Sequence, residues 1–409
     1  MDSIEHIVII GAGLAGVHAA ATLRNRGFDG TITLLGEDPE RPYNRPPLSK
    51  SYLVGKRERD GLDVNPAAFY AEQRIDLRPG ISVVAIQPAT LEVVLGTGER
   101  LRADRILLAT GSAPRRLGIP GEDLPGVQAL RTLADADALK AALIRGDRVV
   151  VVGAGWIGGE VASSLRSLGH DVTVLEFRSS PLEMVVGPIV GGVLGVLHRD
   201  HGVDLRLGAG VTRILGTDRV TGVEVNASET IAAACVVMAV GVAPRTELGR
   251  DAGLAAGDGI RVNAELETSI PGVFAAGDVA AYWNPFYQQR IRTEHSSNAR
   301  NQGQAAAAAM LGEGVPFDAI PSFSSEQHGL RIEVIGHAAT SDVEVIRGSL
   351  EARMFVAFRL DQDGRVLSGT AVGVPDTGKV IERLIRSRAV VDPARLADTD
   401  VPIEVLAAG

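Results

Sequence analysis

Two stretches of the chain carry the same unusual pattern. "HIVIIGAGLAGVHAAATLRNRG", beginning at His6, sets four β-forming residues before Gly11, Gly13 and Gly16 and then places apolar residues at helical spacing. "RVVVVGAGWIGGEVASSLRSLG", beginning at Arg148, does the same around Gly153, Gly155 and Gly158. In each copy the first glycine permits a tight turn, the second lets backbone N–H groups approach a pyrophosphate, and the third lets helix pack on strand. The helix N-terminus adds positive potential. The chain is therefore expected to hold two dinucleotide-binding units.

Each copy runs on into a β-rich stretch that ends at an acid, "TITLLGE" at Glu37 and "DVTVLE" at Glu176. Both acids fall near the spacing of a carboxylate that binds a ribose diol. A further echo relates "DRILLATGSAPR" to "CVVMAVGVAPR", with Gly111 and Gly241 equivalent. One more segment, "ETSIPGVFAAGDVA", predicts a short strand, a Gly277-Asp278 turn and a helix, whose N-terminal acid is by itself an ordinary N-cap and, beside a bound cofactor, a group able to hold a polyol by hydrogen bonds.

Composition narrows the class. A length of 409 residues suits two or three domains, and 48 glycines with 4% aromatics suit an α/β protein. The net charge of −9 is spread among interspersed acids and bases, which disfavours nucleic acid or an anionic membrane as partner. Cys235 is the single cysteine, so no disulfide and no Cys-x-x-Cys pair forms within the chain. "MDSIEHIVII" lacks a cationic leader region, and the apolar runs fall short of the ~20 residues of a membrane span. The expected location is cytoplasmic. His198 and His201 share an i, i+3 spacing without a third ligand, so a polar helix face is expected there and no metal site.

Taken together, the first fingerprint, "LLATGSAPR", the second fingerprint and "VFAAGDVA" resemble the flavoproteins with two dinucleotide-binding domains. "PYNRPPLSK", "LRTLADADAL" and "EHSSNARNQG" bring the likeness closer, to the FAD-dependent NADH:ferredoxin reductases of oxygenase systems. That resemblance implies a glutathione reductase-like α/β fold: a discontinuous FAD domain over 1–118 and 246–320, an NAD(P)H domain over 119–245, and a C-terminal α+β interface domain over 321–409. It implies that Gly11, Gly13, Leu14, Ala15, Gly16, Glu37, Arg45, Pro46, Lys50, Ala109, Thr110, Gly111, Gly277 and Asp278 bind FAD, with Glu37 on the adenosine ribose and Asp278 on the ribityl or pyrophosphate part. Gly153, Gly155, Ile157, Gly158, Glu176 and Gly241 would bind NADH. Lys50, paired with Glu160, is the implied catalytic cation, favouring the anionic reduced flavin. The prolines of "YNRPPLSK" predict an irregular, stiff loop around it.

Glu176 favours NADH, because the 2′-phosphate of NADPH would meet its carboxylate, while Arg178 keeps NADPH open. Cys235 sits at the start of a β-run rather than beside the first helix, which excludes disulfide reductases and cysteine-dependent peroxidases. Electrons must then leave the flavin directly. The resemblance names the acceptor as a small acidic [2Fe–2S] ferredoxin serving a cytochrome P450 or Rieske-type oxygenase, and it allows a monomer or homodimer. Arg290, Arg292 and Arg331 are candidates for a basic docking face.

The pattern breaks at two places. Relatives carry tryptophan where this chain has Ser296 in "EHSS" and Ser324 in "FSSEQ". The losses keep open an NADH-dependent flavin enzyme acting directly on a small molecule or oxygen, and a redox-controlled binding protein like the apoptosis-inducing factors. From residue 321, alternation in "RIEVIGHAA" and "ARMFVAFRLDQDGRVLSGTAVG" predicts antiparallel strands about the "QDG" turn, then a helix at "TGKVIERLIRSRA". His295 and His328 have no assigned role.

Overall fold

The computed structural model describes residues 4–144, 147–338 and 343–406. Its chain divides into two compact units. One takes the residues up to Pro46 with Glu58–Ala113 and Val242–Ala319; the other takes Pro47–Arg57, Pro114–Gly241 and the chain from Ile320 onward.

In the first unit the strand His6–Ile10 is central to a parallel five-stranded sheet. The order is Val273–Ala275, Arg105–Leu108, His6–Ile10, Thr31–Gly36, Ile75–Pro79. Ile7, Val8 and Ile9 are fully buried, as expected of a parallel strand covered on both faces, and this is why its sequence is uniformly apolar. The chain pairs first on one side of His6–Ile10 and then crosses to the other. That reversal puts the Gly11 turn at the point where open α/β sheets bind ligands. Helix Leu14–Asn25 follows the turn and packs closely on helix Ser296–Met310, where a Cβ on Gly303 would lie 2.2 Å from the Ala15 carbonyl oxygen. Antiparallel strands Val83–Gln87, Glu92–Leu95 and Arg100–Arg102 complete a second sheet.

The second unit repeats the arrangement, with the order Asp204–Leu207, Asp171–Glu176, Arg148–Val152, Cys235–Met238, Val127–Gln128. Helix Trp156–Ser167 follows its glycine turn. The same unit holds an antiparallel five-stranded sheet, ordered Ser322–Gln327, Leu330–Gly336, Val366–Val372, Met354–Leu360, Val343–Ser349. Helix Gly378–Ser387 buries Val380, Ile381, Leu384 and Ile385, an i, i+1, i+4, i+5 stripe that makes it amphipathic. The expected antiparallel strands and terminal helix are thus present.

Two local expectations are corrected. The Gly277-Asp278 turn leads into the strand Ala280–Asn284, not a helix; Tyr282 and Trp283 suit a strand, which pairs with Gly259–Val262 and Gln289–Ile291. In the stiff loop, Pro46–Ser49 close one turn of 3-10 helix, because proline at a first turn forgoes only an N–H that has no partner there. Among the described residues no helix is long and apolar enough to cross a membrane.

Candidate functional site

The glycines of the first turn divide their work as their spacing predicts. Gly11 has φ +116°, and a Cβ on it would lie 2.1 Å from the Ala109 carbonyl oxygen. A Cβ on Gly16 would lie 2.0 Å from the Gly11 carbonyl oxygen. Gly13 differs, since nothing lies within 4 Å of its would-be Cβ. Its backbone face is open, and helix Leu14–Asn25 starts without a side-chain cap. The second turn behaves alike: a Cβ on Gly153 would be 2.5 Å from the Ala239 carbonyl oxygen and one on Gly158 2.0 Å from that of Gly153, while Gly155 is open and its helix uncapped. By contrast, helix Leu133–Ala142 has a full capping box from Thr132 and Asp135. Each cradle thus keeps orphan N–H donors and room for an anionic pyrophosphate, so both fit a dinucleotide.

In the first unit the other expected residues gather at the carboxyl ends of the same strands. Glu37 follows Thr31–Gly36, Ala109, Thr110 and Gly111 follow Arg105–Leu108, and Gly277 and Asp278 follow Val273–Ala275. Leu14 and Ala15 open the helix. Asp278 accepts a hydrogen bond from the Ser112 hydroxyl at 2.7 Å, and the Gly277 N–H donates to Gln302 Oε1 at 2.8 Å. Glu37 is not free: Arg245 forms an ion pair with it. Arg245 ends the "GVAPR" segment, and the Thr110 hydroxyl donates to its carbonyl at 2.8 Å. Arg45, half-buried, and Pro46, exposed, lie on a different loop, which Asn44 and Tyr43 tie to Leu62 and Asp63.

In the second unit Gly153, Gly155, Ile157 and Gly158 form the turn and helix start, and Glu176 and Gly241 follow the flanking strands. Glu176 Oε2 accepts from the Ala154 N–H at 2.7 Å, and Oε1 from the Arg178 N–H at 2.9 Å. These bonds fix the carboxylate against the glycine turn, with lone pairs left for a diol.

The Lys50–Glu160 pair lies wholly within this unit. Glu160, one turn into helix Trp156–Ser167, is only 4% exposed. Its Oε1 accepts from Lys50 Nζ at 2.8 Å and from the Ser325 hydroxyl at 2.7 Å, and its Oε2 from the Ser49 hydroxyl at 2.5 Å. The Ser164 hydroxyl donates to the Ser49 carbonyl at 2.7 Å and steadies that loop. A carboxylate complementing only a helix dipole would lie at the surface; this one is a buried charge with three donors. Sequence reading missed Ser49, Ser325, Ser112, Gln302 and Arg245. Ser49, next to Lys50, Ser112, next to Gly111, and Arg245, at the end of the second "APR" segment, had a signal near at hand.

Other expectations change. His198 does not lie on a polar face: it is 2% exposed and hydrogen-bonded to Gln327 Oε1 at 2.9 Å and to His328 Nε2 at 3.0 Å, with His201 stacked on His328. Burial, with His198, His201 and Arg166 nearby, pushes His328 down to about 3. Arg292 pairs with Asp258 and Glu294 and is largely buried, and Arg290 donates to the Val262 and Ala281 carbonyls. The charge of Arg292 is thus met within the fold, whereas Arg290 is exposed. Arg331 is exposed, 3.7 Å from Glu333. Ser296 begins helix Ser296–Met310, capped by His295, and Ser324 is exposed on its strand. Trp156 stacks on Phe323 with ring centroids 4.3 Å apart. Cys235 is buried, and burial pushes its thiol up to about 11. Among the described residues no group of three or more side chains suits a metal ion.

Residues 5–303 match the pyridine nucleotide-disulphide oxidoreductase family, and residues 322–407 match the reductase C-terminal domain. The chain belongs to this family. The oxidoreductase is similar to rhodocoxin reductase of Rhodococcus erythropolis, 37% identical over 98% of this chain and 93% of that protein. It is similar to putidaredoxin reductase of Pseudomonas putida, 36% identical over 100% and 98%. The crystal structure of the covalent putidaredoxin reductase–putidaredoxin complex matches it with a TM-score of 0.95 at 36% identity, over 99% of this chain and 98% of that one. The expected kinship with ferredoxin reductases of oxygenase systems, the two-Rossmann fold and the use of FAD with NAD(P)H are borne out.

Proposed function

We propose that this oxidoreductase passes electrons from NADH by way of FAD to an acidic [2Fe–2S] ferredoxin that serves a cytochrome P450 or Rieske-type oxygenase. The observation that carries the reading is two open glycine cradles in a chain whose one cysteine is buried and protonated. Two dinucleotides are accommodated and no thiol relay receives the electrons, so the acceptor is external. The names of the relatives support a ferredoxin in that place.

FAD supplies a centre that takes two electrons as hydride and releases them singly. Gly11, Gly13, Leu14, Ala15 and Gly16 hold its pyrophosphate by backbone N–H groups, and Glu37 takes the ribose diol while Arg245 keeps its charge balanced. Ala109, Thr110, Gly111 and Gly277 keep the backbone close, Asp278 accepts from hydroxyls, and Arg45 and Pro46 complete the site. For NADH, Gly153, Gly155, Ile157, Gly158 and Gly241 form the cradle and Glu176 binds the diol. Lys50 provides positive charge that favours the electron-rich reduced cofactor, and Glu160 with Ser49 and Ser325 holds the ammonium in place. We assign the FAD domain to 1–118 and 246–320, the NAD(P)H domain to 119–245 and the interface domain to 321–409. The reading includes a cytoplasmic location and a monomer or homodimer.

Glu176→Gln is expected to raise the KM for NADH by about tenfold or more, since a bond to a charged acceptor contributes ~1.5–3 kcal/mol, and to narrow the gap to NADPH. Steady-state kinetics with both nucleotides check this; an unchanged NADH/NADPH ratio would refute the diol assignment. The proposal itself is tested by NADH-dependent cytochrome c reduction, with and without a [2Fe–2S] ferredoxin from the same source. Strong dependence on ferredoxin is expected. NADH consumption indifferent to ferredoxin would instead establish direct reaction with oxygen or a small molecule.

A further inference from the structure

Phe177 follows Glu176 at the carboxyl end of strand Asp171–Glu176, and its side chain is 78% exposed. The backbone on either side of it is clamped. The Glu176 carbonyl accepts from the Ala209 N–H at 2.9 Å, and the Arg178 carbonyl accepts from the Gly208 N–H at 3.0 Å. Both partners belong to the turn after the neighbouring parallel strand, Asp204–Leu207. Farther along, the Leu182 N–H donates to the Ala154 carbonyl of the glycine turn at 3.2 Å. The loop is therefore pinned on two sides, and it presents a large apolar ring to water.

That ring does little for the fold. Its edge approaches Gly210, whose would-be Cβ would lie 3.5 Å from Phe177 Cδ2, and Gly208 beside it leaves open space. A solvated aromatic ring on a pinned backbone suits a flat partner, because only its two side-chain torsions must be ordered on binding. Its place fixes which partner. The adjoining residue is the carboxylate assigned to the adenosine diol, and the carboxyl ends of these strands are where a dinucleotide lies. An adenosine presents a diol and, attached to the same ribose, a flat base.

We propose that Phe177 forms the stacking face for the adenine of NADH, so that neighbouring residues of one pinned loop read the two parts of the adenosine, Glu176 the diol and Phe177 the base. The inference rests on the reading of Glu176 given above. Its consequence is that the affinity for NADH is drawn in part from a contact remote from the hydride, and that reduced nicotinamide mononucleotide, which lacks the adenosine, is insensitive to Phe177.

The test uses the full FAD-loaded protein with Phe177→Ala and Phe177→Tyr. Calorimetric titration with ADP-ribose measures binding of the adenosine and pyrophosphate parts without the nicotinamide, and anaerobic reduction of the bound flavin by NADH and by reduced nicotinamide mononucleotide measures the hydride step with and without the adenosine. Phe177→Ala is expected to weaken ADP-ribose by about three- to tenfold, the range of aromatic stacking, while Phe177→Tyr stays near the parent. The mononucleotide rate is expected to be the same in all three proteins. Unchanged ADP-ribose affinity in Phe177→Ala would overturn the proposal, as would an equal loss with the mononucleotide. Because ADP-ribose binding is read without turnover, a protein that binds it through Phe177 but ignores ferredoxin would overturn the proposed function and leave this inference standing.

Discussion

Lys50→Met is expected to slow anaerobic reduction of the bound FAD by NADH by about one to two orders of magnitude, the scale on which a single preorganised charge or donor acts. Methionine keeps most of the length and apolar volume of lysine, so packing along the stem is retained. What is lost is the ammonium 2.8 Å from Glu160 Oε1. The carboxylate then stays buried with only Ser49 and Ser325 as donors, which is expected to lower stability by about 1–3 kcal/mol. Stopped-flow reduction and a denaturant titration separate the two effects. Equal reduction rates in parent and variant would remove Lys50 from the mechanism even if stability falls.

The second large effect concerns two glycines three residues apart, which are expected to fail in opposite ways when changed to alanine. Gly16→Ala puts a methyl 2.0 Å from the Gly11 carbonyl oxygen and 3.1 Å from Ile9 Cγ2, so helix and strand must separate. Overpacking of this kind costs about 1–3 kcal/mol or more, and the apoprotein is expected to melt earlier. Gly13→Ala meets nothing within 4 Å and has φ −79°, which alanine adopts freely. Its apoprotein stability is expected to fall by no more than about 0.5–1 kcal/mol, the difference between glycine and alanine at an N-cap. FAD retention through gel filtration is nonetheless expected to fail, since the methyl fills the space kept open for the pyrophosphate. Retention of stoichiometric FAD by Gly13→Ala would show that the open face is not where the cofactor lies.

These glycines also show what a sequence makes legible. Each answers a local demand of the backbone, a positive φ or a close approach, and such demands repeat wherever the same turn is built; two copies in one chain were readable for that reason. The strand Arg148–Val152 and the helix after it were readable because burial on two faces and on one stripe leaves different periods. The setting of Glu160 was not. Ser49 and Ser325 stand 111 and 165 residues away from it in sequence, and a hydroxyl chosen for a distant partner leaves no period. His198 looked like a surface residue because its spacing to His201 is helical and its neighbours Arg199 and Asp200 are charged, yet the helix turns it inward onto Gln327. Arg292 misled for a similar reason: its two carboxylate partners, Asp258 and Glu294, become visible only when the strands are assembled. Tyr282 and Trp283 suit the strand that follows Asp278, and a glycine-acid turn leads into a strand as readily as into a helix.

The way the two compact units interleave along the chain sets the order in which a ribosome could release them. The first unit needs Val273–Ala275 beside Arg105–Leu108, and its last segment ends at Ala319. The second begins at Pro47, with the loop that carries Lys50, and its final segment starts only at Ile320. Neither unit is complete while the first half of the chain is being made. At roughly 5–20 residues per second, the strand Arg105–Leu108 waits about 8–34 seconds for its neighbour Val273–Ala275, and Glu160 is synthesised well before Ser325 arrives to share its charge. Closing such long loops is slow relative to forming local helices, so the nascent chain spends that interval with apolar strands uncovered. Arrest of translation between residues 160 and 230 would leave a polypeptide with both fingerprints and neither parallel sheet finished, since Cys235–Met238 and Val273–Ala275 are still to come, the kind of species that chaperones hold.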